Sequence, residues 1–172
     1  FKELRENQKA KECYNKAIKN DPNYANAHNN LGVIFKELRE NQKAKGCLEK
    51  AIAINPNYVN AHNNLGVIFK ELGENQKAKN SFEKVIEINP NHINAHYNLG
   101  VIFKELGENY KAKSCYEKAI EIDPNYADAH DSLGVIFTEL NDYQKAKSCY
   151  EKAIEIDPDH PYAHNNLLKS LY

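Results

Sequence analysis

The chain has 172 residues, and its 23 basic and 24 acidic side chains leave a formal net charge of −1. A balance this close to neutral argues against a nucleic-acid reader, which needs a basic groove. No apolar run is long enough to span a membrane and no Gly/Ser-rich linker divides the chain, so one elongated domain fits better than two globular ones.

The sequence repeats itself every 34 residues. The segment LGVIF at residues 31–35 returns unchanged at 65–69, 99–103 and 133–137. Self-similarity at a fixed period of this size predicts a solenoid, because a unit that cannot bury its own apolar face must stack on its neighbours. We predict a single array over 1–172, made of a partial repeat at 1–24, full repeats at 25–58, 59–92, 93–126 and 127–160, and a terminal helix or half repeat at 161–172.

Each repeat predicts two helices. With Ala25 placed in column 1, helix A covers about columns 1–14 and helix B about columns 17–30. Columns 4, 7, 8, 11 and 14 share one side of helix A, and columns 20, 24, 27 and 28 share one side of helix B, so these faces are expected to form the core. Proline in column 32 ends helix B, and Asn or Asp in column 33 is the expected N-cap of the next helix A. Lys and Glu elsewhere are expected to form solvated i, i+4 pairs, such as Lys113 with Glu117.

The repeated columns also resemble a known family. Gly in column 8, Phe in column 11, Ala in column 20 and Pro in column 32 form a pattern similar to the tetratricopeptide repeat (TPR), and the resemblance covers the whole chain. It implies an all-α fold, a right-handed superhelix of antiparallel helix hairpins with a 34-residue period, and a non-enzymatic protein-interaction scaffold. The family usually has Trp or another aromatic residue in column 4, where this chain has His. We expect these His side chains to be packed and hydrogen-bonded rather than to bind a metal.

The resemblance also implies a concave groove lined by helix A. Columns 2, 6 and 9 lie on that face, with column 5 at its edge. A carboxamide both donates and accepts hydrogen bonds, so a row of Asn can pair with the backbone of an extended peptide of any sequence, and a neighbouring row of Val adds apolar contact. The predicted peptide-binding groove comprises Asn26, Asn29, Asn30, Val33, Asn60, Asn63, Asn64, Val67, Asn94, Tyr97, Asn98, Val101, Asp128, Asp131, Ser132 and Val135.

Other interpretations of the same columns stay open. Asn in column 6 is also explained by local packing alone. The Asn row is similar to the TPR arrays of O-linked N-acetylglucosamine transferases and their plant relatives, which would make the chain the substrate-recognition arm of a larger protein O-glycosyltransferase. The chain begins in column 11 and ends in column 12, so we expect it to be part of a longer array whose half-repeats allow head-to-tail self-association.

Several other kinds of site are not expected. The carboxylate-clamp TPRs that hold chaperone tails need Lys or Arg in columns 2, 5 and 6, which this chain lacks. No nucleophile motif, P-loop or dinucleotide-binding turn occurs, so we predict no catalytic, cofactor or metal site.

The cysteines and the charge distribution complete the prediction. All four cysteines occupy column 23, and stacked repeats hold equivalent columns about 8–10 Å apart or more, beyond the roughly 7 Å limit for a disulfide. Free thiols favour a cytoplasmic or nucleocytoplasmic location.

The net charge differs between repeats. Repeat 127–160 has eight acidic and three basic residues, whereas repeat 25–58 has three acidic and five basic residues. This charge difference is either neutral variation of solvent-exposed faces or a functional charge gradient.

Overall fold

A computed structural model describes the backbone of residues 2–170 and the side chains of residues 6–170. Over this range the chain forms ten α-helices and no strand, which confirms the predicted all-α fold. The helices group into two compact units, Phe1–Pro90 and Asn91–Tyr172. Residues 1, 171 and 172, which belong to the two predicted partial repeats, lie outside the described part.

Each unit alternates helices A and B, but the first unit begins and ends with a helix B and the second with a helix A. The first unit contains helices α1 Lys2–Asn20, α2 Ala25–Glu37, α3 Asn41–Ile54, α4 Val59–Glu71 and α5 Asn75–Ile88. The second contains α6 Ile93–Glu105, α7 Asn109–Ile122, α8 Ala127–Glu139, α9 Tyr143–Ile156 and α10 Ala163–Ser170. In every full repeat helix A therefore covers columns 1–13 and helix B covers columns 17–30, within one residue of the prediction.

The turn between helices A and B depends on one left-handed residue in column 15. Gly73 and Gly107 have φ of 71° and 74°, and Arg39 and Asn141 adopt nearly the same value. In the first full repeat the amide of Glu40 donates to the Phe35 carbonyl at 2.8 Å and the amide of Arg39 donates to the Lys36 carbonyl at 2.9 Å. These two bonds form a Schellman motif, which ends helix A and reverses the chain.

The first helix departs from the predicted pattern. Because 1–24 was expected to keep the end of a helix A, columns 15 and 16 should form a turn there, but α1 runs unbroken through them from Lys2 to Asn20. A left-handed residue costs about 1–2 kcal/mol when it is not glycine. Column 15 of this segment is Arg5, and a continuous helix avoids that cost.

Glycine in column 8 sets the distance between helices A and B of each hairpin. A Cβ atom at Gly66 would lie 2.7 Å from Phe82 Cε1, and one at Gly134 would lie 2.5 Å from Tyr150 Cε1. The column 24 side chain therefore fills the space that glycine leaves, and Phe82 is fully buried there. This contact explains why a small and a large residue face each other in every repeat.

Two details of the predicted core are corrected. Column 14 was placed on the core stripe, but Leu72 and Leu106 are 38% and 46% exposed, because this column is the C-cap, where the chain already turns away from helix B. Column 10 takes its place, since Ile68 and Ile102 are fully buried.

The predicted N-cap is also wrong by one position. Helix A begins after column 34, so its N-cap residues are Tyr24, Tyr58, His92 and Tyr126 rather than the Asn in column 33. The column 33 amide instead donates to the side chain in column 31, as Asn57 does to Asn55 Oδ1 at 3.1 Å. This Asx turn uses the polar residues to shape the loop before the helix starts.

The His side chains in column 4 are hydrogen-bonded, as predicted, but their packing varies, since His28 is buried and His164 is exposed. Nε2 of His28, His62, His130 and His164 lies 2.8–3.0 Å from the carbonyl oxygen of the proline six residues earlier. A carbonyl only accepts, so Nε2 carries the proton and donates. Each His thereby ties the start of a helix A to the loop that precedes it.

His92 caps helix α6 with an unprotonated nitrogen, and this gives a pH-dependent prediction. Nδ1 accepts from the Ala95 amide at 3.1 Å, and burial lowers the pKa of His92. A histidine whose pKa falls on folding stabilises the fold above its unfolded-state pKa of about 6.5 and stops doing so as the pH drops below that value. Protonation removes the cap, so stability should fall by about 1 kcal/mol at mildly acidic pH.

Replacing His92 with Asn, which caps without titrating, isolates this effect. Denaturant unfolding of both proteins across the mildly acidic range should show a steeper loss of stability for the unsubstituted chain. Parallel pH profiles would contradict the prediction.

Several lysines that were predicted only to form solvated ion pairs also make cation–π contacts with phenylalanine rings. Lys113 pairs with Glu117 at 3.3 Å, as expected. Lys113 and Lys145 also place their ammonium groups 5.6 Å and 5.4 Å from the ring centroid of Phe137, and Phe35 and Phe69 are flanked by lysines in the same way. These cation–π contacts cover the edge of the core where the column 11 ring reaches the surface.

Candidate functional site

The predicted groove residues lie on helices A, on α2 and α4 in the first unit and on α6 and α8 in the second. We call the surface that columns 2, 5, 6 and 9 form on the helices A of each unit the A face of that unit. Its column 2 side chains are exposed, and its column 6 and column 9 side chains are half-buried. The burial of column 5 varies between repeats: Asn29 and Asp131 are only 4% and 8% exposed, while Asn63 and Tyr97 are half-buried.

In the first unit the column 6 amides are held by hydrogen bonds within the chain. Asn64 Nδ2 donates to Asn29 Oδ1 of the preceding repeat at 3.1 Å. Asn30 Nδ2 donates to the Tyr14 hydroxyl at 3.3 Å, and Asn29 Nδ2 donates to Asn30 Oδ1 at 3.1 Å. The Asn row therefore links successive repeats, as the packing interpretation proposed, and each of these bonds uses only one N–H of the donating amide.

The second unit has the same link with different side chains. Asn166 Nδ2 donates to Asp131 Oδ1 at 2.9 Å, and Ser132 is hydrogen-bonded to Tyr97. The pairing is thus column 6 of one repeat with column 5 of the repeat before it. Where column 5 is the large Tyr97, column 6 is the small Ser132, so the two positions compensate for each other in size.

Residues in column 34, just before each helix A, also contact the A face, although they were not among the predicted groove residues. The Tyr58 hydroxyl donates to Asn26 Oδ1, and His160 Nε2 lies 3.2 Å from Asp128 Oδ1, so the residue before one helix A reaches column 2 of the previous one. The sequence does contain a feature that could have indicated these contacts, because column 34 holds Tyr or His in every repeat. It was missed because this column lies in the loop, outside the predicted helices.

Burial shapes the ionisation of the A face in the second unit. It raises the pKa of Asp131, which the hydrogen bond from Asn166 opposes. It also raises the pKa of Tyr97, as do the neighbouring charges of Asp128 and Asp131, while the Ser132 hydrogen bond lowers it. The Tyr97 phenol is therefore neutral at physiological pH, and it acts as a hydrogen-bonding aromatic surface.

The four cysteines are free, as predicted, and burial raises the pKa of Cys149 to about 11, so its thiol is a poor nucleophile. Across the part of the chain that the structure describes, no three metal-binding side chains come together. Among those same residues, no helix has both the length and the apolar character to cross a bilayer.

Comparison with known families identifies the class of protein. The Tetratricopeptide repeat family matches residues 25–58, 59–92, 93–126 and 127–160, and a second TPR repeat family matches residues 1–38. The chain therefore belongs to the tetratricopeptide repeat family. A sequence search of curated proteins gives no significant match.

Solved structures show the same fold. The chain is similar to a crystal structure of MamA at 27% identity and a TM-score of 0.79, with 87% of each chain covered. YrrB, described as a TPR protein with an unusual peptide-binding site, is 27% identical with a TM-score of 0.78 over 95% of this chain and 84% of YrrB. The segment of MamA from residue 41 to the end, from Desulfovibrio magneticus RS-1, is 21% identical with a TM-score of 0.81 over 92% of this chain and 90% of that chain, which shows the fold alone. Membership of the TPR family and the similarity to YrrB support a protein-interaction scaffold.

Proposed function

We propose that the chain binds an extended peptide along its A faces. The observation that carries this proposal is the pairing of an exposed column 2 side chain with a half-exposed column 9 valine on successive helices A, a combination that the core does not require. In the first unit these are Asn26 and Val33 on α2, and Asn60 and Val67 on α4. The similarity to YrrB, a peptide-binding TPR protein, supports the same function.

The hydrogen bonds within the chain favour such binding. Asn64 uses one N–H for Asn29, which fixes the orientation of its carboxamide and leaves its second N–H for another acceptor. A fixed donor loses less conformational entropy on binding than a free one. The valines offer apolar contact between amides, so the surface suits an extended backbone with small or apolar side chains.

A positive charge introduced on the A face of the first unit tests the proposal. Peptides are first selected from a phage-displayed library of random dodecapeptides, and the affinity of the best one is measured by isothermal titration calorimetry. Val67→Lys on the A face of α4 should weaken binding about tenfold or more, because the new ammonium group would have to be desolvated under the peptide.

The matched control is Asn80→Lys, which adds the same charge to the exposed side of α5. It should leave the affinity within about twofold. Equal effects of both substitutions would place the peptide elsewhere. A library that yields no binder would overturn the peptide-binding function itself.

A related function would use the same face. If the Asn row acts as in the O-linked N-acetylglucosamine transferases that it resembles, the A faces would select substrates for a larger protein O-glycosyltransferase. A glycosyltransferase domain encoded next to this segment in its gene would support that alternative. The free thiols are consistent with a cytoplasmic or nucleocytoplasmic location for either function.

A further inference from the structure

The A face of the second unit differs in chemistry from that of the first. In the first unit columns 2, 5 and 6 contain only asparagine. On α6 and α8 of the second unit, aromatic, acidic and hydroxyl side chains replace asparagine at four of these positions, which are Tyr97, Asp128, Asp131 and Ser132. All four lie on helices α6 and α8, so the change is concentrated on one surface.

The aromatic part of this surface is a cluster of three tyrosines. The ring centroid of Tyr97 lies 5.1 Å from that of Tyr126 and 5.8 Å from that of Tyr116, with tilted planes. Tyr116 is 1% exposed and supports the cluster from the core, whereas Tyr97 and Tyr126 are partly exposed. Two partly exposed tyrosine rings therefore have a rigid support, Tyr97 on the A face and Tyr126 at the N-cap of α8.

The acidic part lacks a cation. The Asp128 side chain is 58% exposed, and Asp131 is buried with a neutral amide, Asn166, as its hydrogen-bond donor. Among the ion pairs of the described residues, neither carboxylate is matched with Lys or Arg. A carboxylate that is nine-tenths buried without a counter-charge is costly, so it favours a site that a cation completes.

The histidine beside Asp128 does not supply that cation. His160 Nδ1 accepts from the backbone amides of Tyr162 at 3.4 Å and Ala163 at 3.2 Å. An accepting Nδ1 has no proton, so the proton is on Nε2, which donates to Asp128. While its Nδ1 caps α10, the ring therefore contacts Asp128 as a hydrogen-bond donor and not as a cation.

We propose that the second unit binds a Lys or Arg side chain of the bound peptide, with the cation over the faces of Tyr97 and Tyr126 and its N–H groups directed at Asp128. Asp131 adds negative potential to the same place. Cations bind over tyrosine faces within about 6 Å of the ring centroid, and a charge-assisted hydrogen bond to a carboxylate fixes their position. Repeat 127–160, with eight acidic and three basic residues, attracts such a partner at longer range.

This inference rests on the proposed peptide-binding function and adds the chemistry of the peptide. The two units would then recognise different features of a peptide. The neutral A face of the first unit suits a peptide backbone of any sequence, whereas the A face of the second unit selects a basic residue. Specificity thus arises where the repeats differ, and general affinity arises where they are alike.

The test starts from the same dodecapeptide library, selected in parallel against the unsubstituted chain and a double variant, Asp128→Asn with Asp131→Asn. Asparagine occupies both columns in the first unit, and Asn29 accepts from Asn64 as Asp131 accepts from Asn166, so the variant should fold. Peptides selected by the unsubstituted chain should be enriched in Lys or Arg, and those selected by the variant should not.

The best basic peptide is then synthesised with its cation intact and with citrulline in place of arginine, or acetyl-lysine in place of lysine. The double variant should bind the charged peptide about tenfold more weakly than the unsubstituted chain and the neutral peptide equally well. Tyr97→Leu, which keeps apolar bulk without a π face, should weaken the charged peptide by a smaller factor. Glu121→Gln with Glu155→Gln removes two charges from α7 and α9 and should change neither affinity.

Each outcome separates the two proposals. Selected peptides without basic residues, or equal affinity for the charged and neutral peptides, would overturn the cation site and leave peptide binding intact. A loss of both peptides by the double variant would show that charge is not the cause. No selected peptide at all would overturn the proposed function first.

Discussion

Replacing Gly100 with leucine should lower the free energy of unfolding by about 1–3 kcal/mol or more. A Cβ atom at this position would lie 2.6 Å from Cε1 of Tyr116, too close for any real contact. Tyr116 is 1% exposed and packs against Tyr97, so it has no free space to move into. Helices α6 and α7 would have to separate. Denaturant unfolding followed by far-UV circular dichroism should show the loss, and Tm should fall by about 2–4 °C per kcal/mol.

The chain contains a matched control for this substitution. Gly46 is also inside a helix, α3, but a Cβ there would meet nothing within 4 Å. Gly46→Leu should therefore raise stability by about 0.5–1 kcal/mol, because glycine is a poor helix former. If both substitutions changed stability by the same amount, helix propensity rather than the close approach of α6 and α7 would govern column 8.

Truncating Phe82 to alanine should have the largest effect on stability, a loss of about 3–5 kcal/mol. The ring is fully buried and fills the space above Gly66, where three of its atoms lie within 3.0 Å of the position a Cβ would occupy. Alanine would leave a cavity between α4 and α5, and the contacts of α4 with α3 keep α4 from moving in to close it. Unfolding by urea with circular dichroism detection measures the loss directly.

Phe82→Leu provides the comparison. Leu48 holds the same column in the preceding repeat and is fully buried against Gly32. A leucine should thus be accommodated at Phe82 for less than about 1.5 kcal/mol. Equal losses for the alanine and leucine variants would mean that the aromatic ring itself, and not the filled volume, is required.

The sequence predicts the helices well because their cause is periodic. Apolar columns at helical spacing, a closing proline and a turn residue recur in each repeat, so one pattern is tested four times over. The errors lie where the chain leaves the helix. Leu72 was assigned to the core and Asn57 to an N-cap by their spacing, although the backbone at both positions no longer follows a helix. Periodicity carries no information about such positions.

The candidate site was harder to predict for a different reason. The columns of the A face follow from helical geometry, but the partners of their side chains come from the next repeat. The hydrogen bond from Asn64 to Asn29 and the tyrosine cluster around Tyr97 cannot be predicted from the sequence of one repeat alone. A comparison of column 5 with column 6 of the following repeat would have revealed the link, since Tyr97 and Ser132 depart from asparagine together.

The link between columns 5 and 6 limits how repeats of this chain can be rearranged. Engineers often treat such repeats as interchangeable parts, yet within each unit of this chain a repeat is fitted to its successor. A repeat placed after 93–126 needs a small hydroxyl residue to meet Tyr97, and one placed after 127–160 needs an amide donor for Asp131. The junction, rather than the 34-residue repeat, is therefore the piece to conserve when the array is lengthened, shortened or recombined.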